Sequence, residues 1–96
     1  MMITFEEATT LTKQALEKGR LADTTLFHNK LEKEIDIIIR EAALNGNSSA
    51  YFQISTLSYP DIFRLSNIRE CIAETYPKYS MTTRISSGVL VVTMTW

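Results

Sequence analysis

One histidine and one cysteine occur in the 96 residues, and neither stands at a spacing that does chemistry. With His28 alone, a Ser-His-Asp triad or a two-histidine zinc motif cannot be built within one chain. On a helical wheel His28 falls beside Ile35 and Ile39. A hydrogen-bonded histidine at the edge of a core is the plain reading there, and a general base or proton switch the sharper one. Cys71 follows Glu70 without a Cys-x-x-Cys partner or a nearby histidine to activate it, so it reads as a small buried residue. A lone cysteine also leaves no intramolecular disulfide, which fits a reducing cytoplasmic setting. The carboxylates Glu6, Glu7, Glu32, Glu34, Asp36 and Glu41 belong to helix surfaces, with Glu32 and Asp36 a like-charge i,i+4 pair and Asp36 and Arg40 an opposite-charge one. A solvated face accounts for them better than a catalytic or metal-binding pair. The expectation is a non-enzymatic protein with no metal and no cofactor.

Two surfaces compete as binding sites. Lys78, Thr82, Thr83, Arg84, Thr93 and Thr95 offer donors to a phosphate, and Tyr79 and Trp96 could stack on a base. No acidic residue follows Glu74, so this end is mildly friendly to anions. Strand propensity alone also explains the threonines and tyrosines, and Trp96 is expected on the core face. The second surface is the apolar set Leu26, Ile37 and Leu44, which share a sparse stripe on one helix, away from its main face. Either the preceding helix covers that stripe, or it is a surface for self-association or a protein partner. Asn45-Gly46-Asn47-Ser48-Ser49 has the look of a phosphate loop but lacks the Lys-Ser/Thr ending and precedes a strand, so it is a cap and turn.

Composition sets the frame for these candidates. An apolar fraction of 45%, a charged fraction of 22% and a net charge of -1 describe an ordinary globular chain of one domain, with no general attraction to nucleic acid or anionic membranes. Residues 1–46 carry a charge of -2 and residues 47–96 one of +1, too small an asymmetry to use. The opening Met-Met-Ile-Thr-Phe-Glu-Glu lacks the basic and apolar regions of a signal peptide, and no apolar run is long enough to span a membrane.

The elements that must position the candidates follow from periodicity. Thr4 with Glu7 forms a capping box, and Phe5, Ala8, Leu11, Ala15 and Leu16 repeat at helical spacing up to Lys18, where Gly19 reads as a stop. Asp23, Thr24 and Thr25 then offer caps for a second helix over 24–46 that buries Phe27, Leu31, Ile35, Ile38, Ile39 and Ala42 and ends at Asn45-Gly46. Residues 1–46 are thus expected to form a helical hairpin, ahead of a βαββ unit over 47–96. Phe52 and Ile54 alternate with Tyr51, Gln53 and Ser55 in a first strand. Tyr59-Pro60-Asp61 marks a helix start, with Asn67 and Glu70 an alternative start, and Pro77 ends the helix. Strands over 79–86 and 89–96 meet at Ser87-Gly88, with Leu90, Val92, Met94 and Trp96 on the apolar face. The crossover from the first strand to the second should be right-handed, and the simplest sheet leaves a gap between these parallel strands for the last, so the expected fold is α+β, α-α-β-α-β-β, with a three-stranded sheet in order 1-3-2 and the helices on one face.

This order resembles the small accessory proteins of tailed bacteriophages, in which a short helix precedes a long one with a Glu-Ala-Ala-x-Asn-Gly-like stop, then a strand, a helix and a hairpin closing on an aromatic. The matching residues are Ile38, Ile39, Glu41 to Gly46, Phe52-Gln53-Ile54 and Val91 to Trp96. The resemblance implies a biological setting, the host cytoplasm, and no site residues. It implies a small protein that binds a host or viral protein, inhibition of host defence being one such role, or alternatively an oligomer that sequesters a nucleotide-like anion.

Overall fold

The computed structural model describes residues 2–96. Its helical part is a single rod and not a hairpin. Helix α1 spans Phe5–Leu26, a π-helical turn follows at Phe27–Leu31, and α2 continues over Glu32–Leu44 without leaving helical dihedrals. Forty helical residues at ~1.5 Å each make a rod of about 60 Å, and the molecule measures 63 × 26 × 24 Å. Gly19, expected to stop the first helix, lies inside it and is buried. One glycine in a helix costs only about 1 kcal/mol relative to alanine, and the Arg20-Leu21-Ala22 that follows is helix-forming, so nothing local breaks the rod.

The π-helical turn has a cause in the sequence. Gly19, Asp23, Phe27, Leu31 and Ile35 are all buried, and they recur every four residues, a longer period than the ~3.6 of an α-helix, so the stripe would rotate by about 40° per repeat. The wider turn, with the Glu32 amide donating to the Phe27 carbonyl, sets the stripe back onto the core. At its end α2 closes with the Gly46 amide on Ala43 O and the Asn47 amide on Ala42 O, at 3.0 and 2.9 Å. Gly46 has φ 81 there, the left-handed position this cap requires.

Strand β1 (Ser49–Ser55), helix α3 (Leu65–Thr75), and strands β2 (Ser80–Ser86) and β3 (Val89–Thr95) complete the chain. The sheet order is β1-β3-β2, with β3 antiparallel to both neighbours, as the crossover argument requires. Ser87 and Gly88 both take positive φ in the β2–β3 turn, which matches the twist of a two-residue hairpin. Phe52 and Ile54, Leu90, Val92 and Met94 meet Phe27, Leu31 and Ile35 of the rod and Ile68 and Ile72 of α3 in one core. Helix α3 begins neither at Pro60 nor at Asn67. Its first helical residue is Leu65, and its cap comes from elsewhere in the chain.

Candidate functional site

The rod is longer than the domain it serves, so its first half overhangs as an arm. Thr4 caps it, its hydroxyl accepting from the Glu7 amide at 3.1 Å. Thr9 and Thr12 donate their hydroxyls to Phe5 O and Ala8 O, both at 2.9 Å, and so are occupied within the helix. From Met2 to Lys18 every residue is exposed except Ala8, which is half-buried. Phe5 is 86% and Leu11 54% exposed. At ~100° per residue, Phe5, Ala8, Thr12, Ala15 and Leu16 lie on the side of the helix that carries Gly19 and Asp23, with Leu11 at its edge. The face that docks on the domain therefore runs on, uncovered, to the tip of the arm.

Two contacts mount the arm. At Gly19, an added Cβ would stand 2.2 to 2.6 Å from three ring atoms of Phe63, so the bare backbone is what lets that ring lie against the helix. One turn on, Asp23 is wholly buried. Its carboxylate accepts from the Phe63 amide at 2.7 Å, the Arg64 amide at 2.9 Å and Asn67 Nδ2 at 2.9 Å. Asp23 thus serves the start of α3, whose own Arg64 provides no side-chain cap. Asp23, one of three residues expected to cap a second helix, lies inside α1, and no helix starts there.

Between arm and α3 lies a notch of about 350 Å³ lined by Leu16, Glu17, Arg20, Phe63, Arg64, Ser66, Asn67 and Glu70. The Arg64 guanidinium sits 5.5 Å from the centre of the Phe63 ring, and Phe63 is 47% exposed.

The proposed stripe of Leu26, Ile37 and Leu44 does not hold together. Leu26 packs on the core, while Ile37 and Leu44 are 56% and 79% exposed. The π-helical turn between them breaks the wheel that aligned the three, and with no hairpin the first helix cannot cover the other two. Part of the helical carboxylate face is also partnered. Tyr59 donates its hydroxyl to Glu34, Tyr76 donates to Asp36, and His28 Nδ1 meets Glu32 at 3.0 Å. Glu34 and Asp36 flank the buried Ile35, so the two tyrosines clasp α2 from the β1–α3 connection and from the end of α3. The hydrogen bond to Glu34, with burial, pushes the Tyr59 phenol up to about 12. Burial, then the bond to Asp36, raises Tyr76 as well. Burial raises the Cys71 thiol, and the thiol contacts the Thr24 hydroxyl at 3.7 Å.

The anion candidates fall into two groups. Thr93 pairs with Thr82 on one side and Tyr51 on the other, and Arg84 pairs with Val91, all on the sheet face away from the helices. Lys78 lies in the turn that precedes β2, outside the strand that carries Arg84. Tyr79 packs on the core and stands edge-to-face with Tyr76 and Trp96, at 5.6 and 5.9 Å. Trp96, expected on the core face, is 40% exposed at the end of the sheet. Among the described residues no three His, Cys, Asp or Glu side chains converge as a metal site would need, and no helix is long and apolar enough to cross a membrane. No family model, curated protein or solved structure matches this chain.

Proposed function

We propose that the protein is a non-enzymatic interaction protein that binds another protein through the uncovered face of its overhanging arm. The observation that carries this reading is the continuity of that face: the side of α1 that packs on α3 at Gly19 and Asp23 continues for about four further turns as Phe5, Ala8, Ala15 and Leu16 with nothing against it. A fourteen-residue helix is marginal in water by itself and gains most of its stability from packing an amphipathic face. A protein surface supplies that packing and a small anion does not. Tyr79 packs on the core while Arg84 lies on the opposite face of the sheet, which weighs further against a compact nucleotide site. The resemblance to bacteriophage accessory proteins supports a role in the host cytoplasm on host or viral proteins.

A photo-crosslinking amino acid in place of Leu11, compared with one in place of Leu44, tests the reading in expressing cells. Protein adducts are expected at position 11 and in much smaller yield at position 44. Adducts at 44 with none at 11 would move the surface to α2 and overturn the assignment.

A further inference from the structure

We propose that the arm's occupant is the arm of a second copy of this chain, running antiparallel, with Phe5 of each copy seated at the Phe63 notch of the other; this rests on the arm being a binding surface. The chain has more surface than its mass accounts for. A compact monomer of 10.9 kDa exposes roughly 5,600 Å², whereas this one exposes 6860 Å². The excess of about 1,300 Å² is larger than the ~800 Å² that one partner contributes to a standard interface. The radius of gyration agrees, at 16.3 Å against about 12.5 Å for a compact domain of this length. Both excesses come from the arm.

Charge chooses the direction. Residues 4–12 carry Glu6 and Glu7 and no base, a charge of -2, and residues 13–20 carry Lys13, Lys18 and Arg20 with Glu17, a charge of +2. The helix macrodipole accounts for acids in a first turn but not for these bases, which lie in the middle of a rod that ends at Leu44. None of the arm's charges forms an ion pair among the described residues. Antiparallel arms set Glu6 and Glu7 of each copy beside Lys13, Lys18 and Arg20 of the other, whereas parallel arms set like against like. Ala8 and Ala15 let the backbones approach, with Phe5, Leu11 and Leu16 around them. The overlap carries Phe5 to the notch, where the exposed Phe63 ring gives it an aromatic seat. The notch's four charges, Glu17, Arg20, Arg64 and Glu70, cancel, so the arm halves set the register. The contact is isologous and closes as a two-fold dimer.

Sedimentation equilibrium of the full chain over a wide concentration range, at low salt, tests this. Wild type is expected at twice the 10.9 kDa chain mass, with helical circular dichroism rising as dimer forms. Phe5→Asp, at a position free of the core, should be folded and monomeric. The pair Glu6→Lys and Glu7→Lys should weaken association by about a hundredfold, as should the pair Lys13→Glu and Lys18→Glu. An equimolar mixture of the two charge variants should dimerise again. Wild type at the monomer mass throughout, charge variants that associate as well as wild type, or a mixture that stays monomeric would each overturn the inference. If the chain is monomeric while position 11 still crosslinks a foreign protein, this inference fails and the arm keeps its binding role.

Discussion

Truncating Asp23 to alanine removes a wholly buried carboxylate that accepts three hydrogen bonds, two from the Phe63 and Arg64 amides and one from Asn67. Bonds to a charged acceptor contribute about 1.5–3 kcal/mol each, and donors left without a partner add a desolvation cost. The three are not additive, because the neighbouring notch admits water to the freed amides. A loss of about 3–5 kcal/mol is therefore expected, as for breaking a buried charged contact. Against a total of roughly 5–14 kcal/mol for a chain of this length, that is a large fraction of the stability, and it should lower Tm by roughly 15–30 °C. Asp23→Asn should cost a similar amount, since the amide that replaces one oxygen is a donor turned toward donors. Asn67→Ala, which removes one bond and leaves the carboxylate its two amides, should cost about 1.5–2 kcal/mol. Urea titration followed by circular dichroism measures all three. A loss under about 1 kcal/mol for Asp23→Ala would show that the clasp between the rod and α3 contributes little, and the account of how α3 starts would be wrong.

Two further outcomes follow from the same joint and its neighbour. Gly19→Ala should destabilise by about 1 kcal/mol, because overpacking against the Phe63 ring exceeds the helix-propensity gain, and in a Phe63→Ala background the same change should stabilise by about 1 kcal/mol; an unchanged sign in the double-mutant cycle would refute the contact. Tyr59 should ionise late: its phenol is raised from 10.0 to about 12 by the bond to Glu34 and by burial, so folding favours the neutral form, and the stability it contributes is whole below pH 10 and lost as pH climbs through about 12. Phenolate absorbance, with Tyr59→Phe to identify the band, should show this step move toward lower pH in Glu34→Gln, and a step already near 10 in the unmutated chain would contradict the clasp.

The sheet was legible in the sequence because its signals are local and mutually consistent. Alternation in Phe52 and Ile54 and in Leu90, Val92 and Met94 named the buried face, Ser87-Gly88 named the turn, and the simplest sheet with a crossover between β1 and β2 left a gap that β3 fills. The helical half was misread where the deciding contact is distant in sequence. Gly19 looks like a stop, but it answers to Phe63, forty-four residues on; Asp23 looks like the cap of the next segment, but it caps α3. Local signals alone therefore end the first helix at Gly19 and fold it back as one half of a hairpin. Only Phe27, Leu31 and Ile35 of the four-residue repeat from 19 to 35 are apolar, so the part of it that spans the expected loop, Gly19 and Asp23, carries no hydrophobic signal.

That repeat also links the fold to the binding surface. Were the rod a plain α-helix from end to end, Gly19 and Ile35 would point about 160° apart, and the chain could bury one end of the stripe only by exposing the other. The wider turn at Phe27–Leu31 lets Ile35 enter the core beneath the sheet while Gly19 and Asp23 stay on α3. The arm's direction is thereby set by core packing at Phe27, Leu31 and Ile35, and its orientation about its own axis by the Asp23 carboxylate and the Phe63 ring. An arm whose base is held in both senses starts from one direction and one orientation, so association has only its outer turns left to order, which lowers the entropic cost. Loosening either mount should therefore weaken association even where the interface residues themselves are untouched.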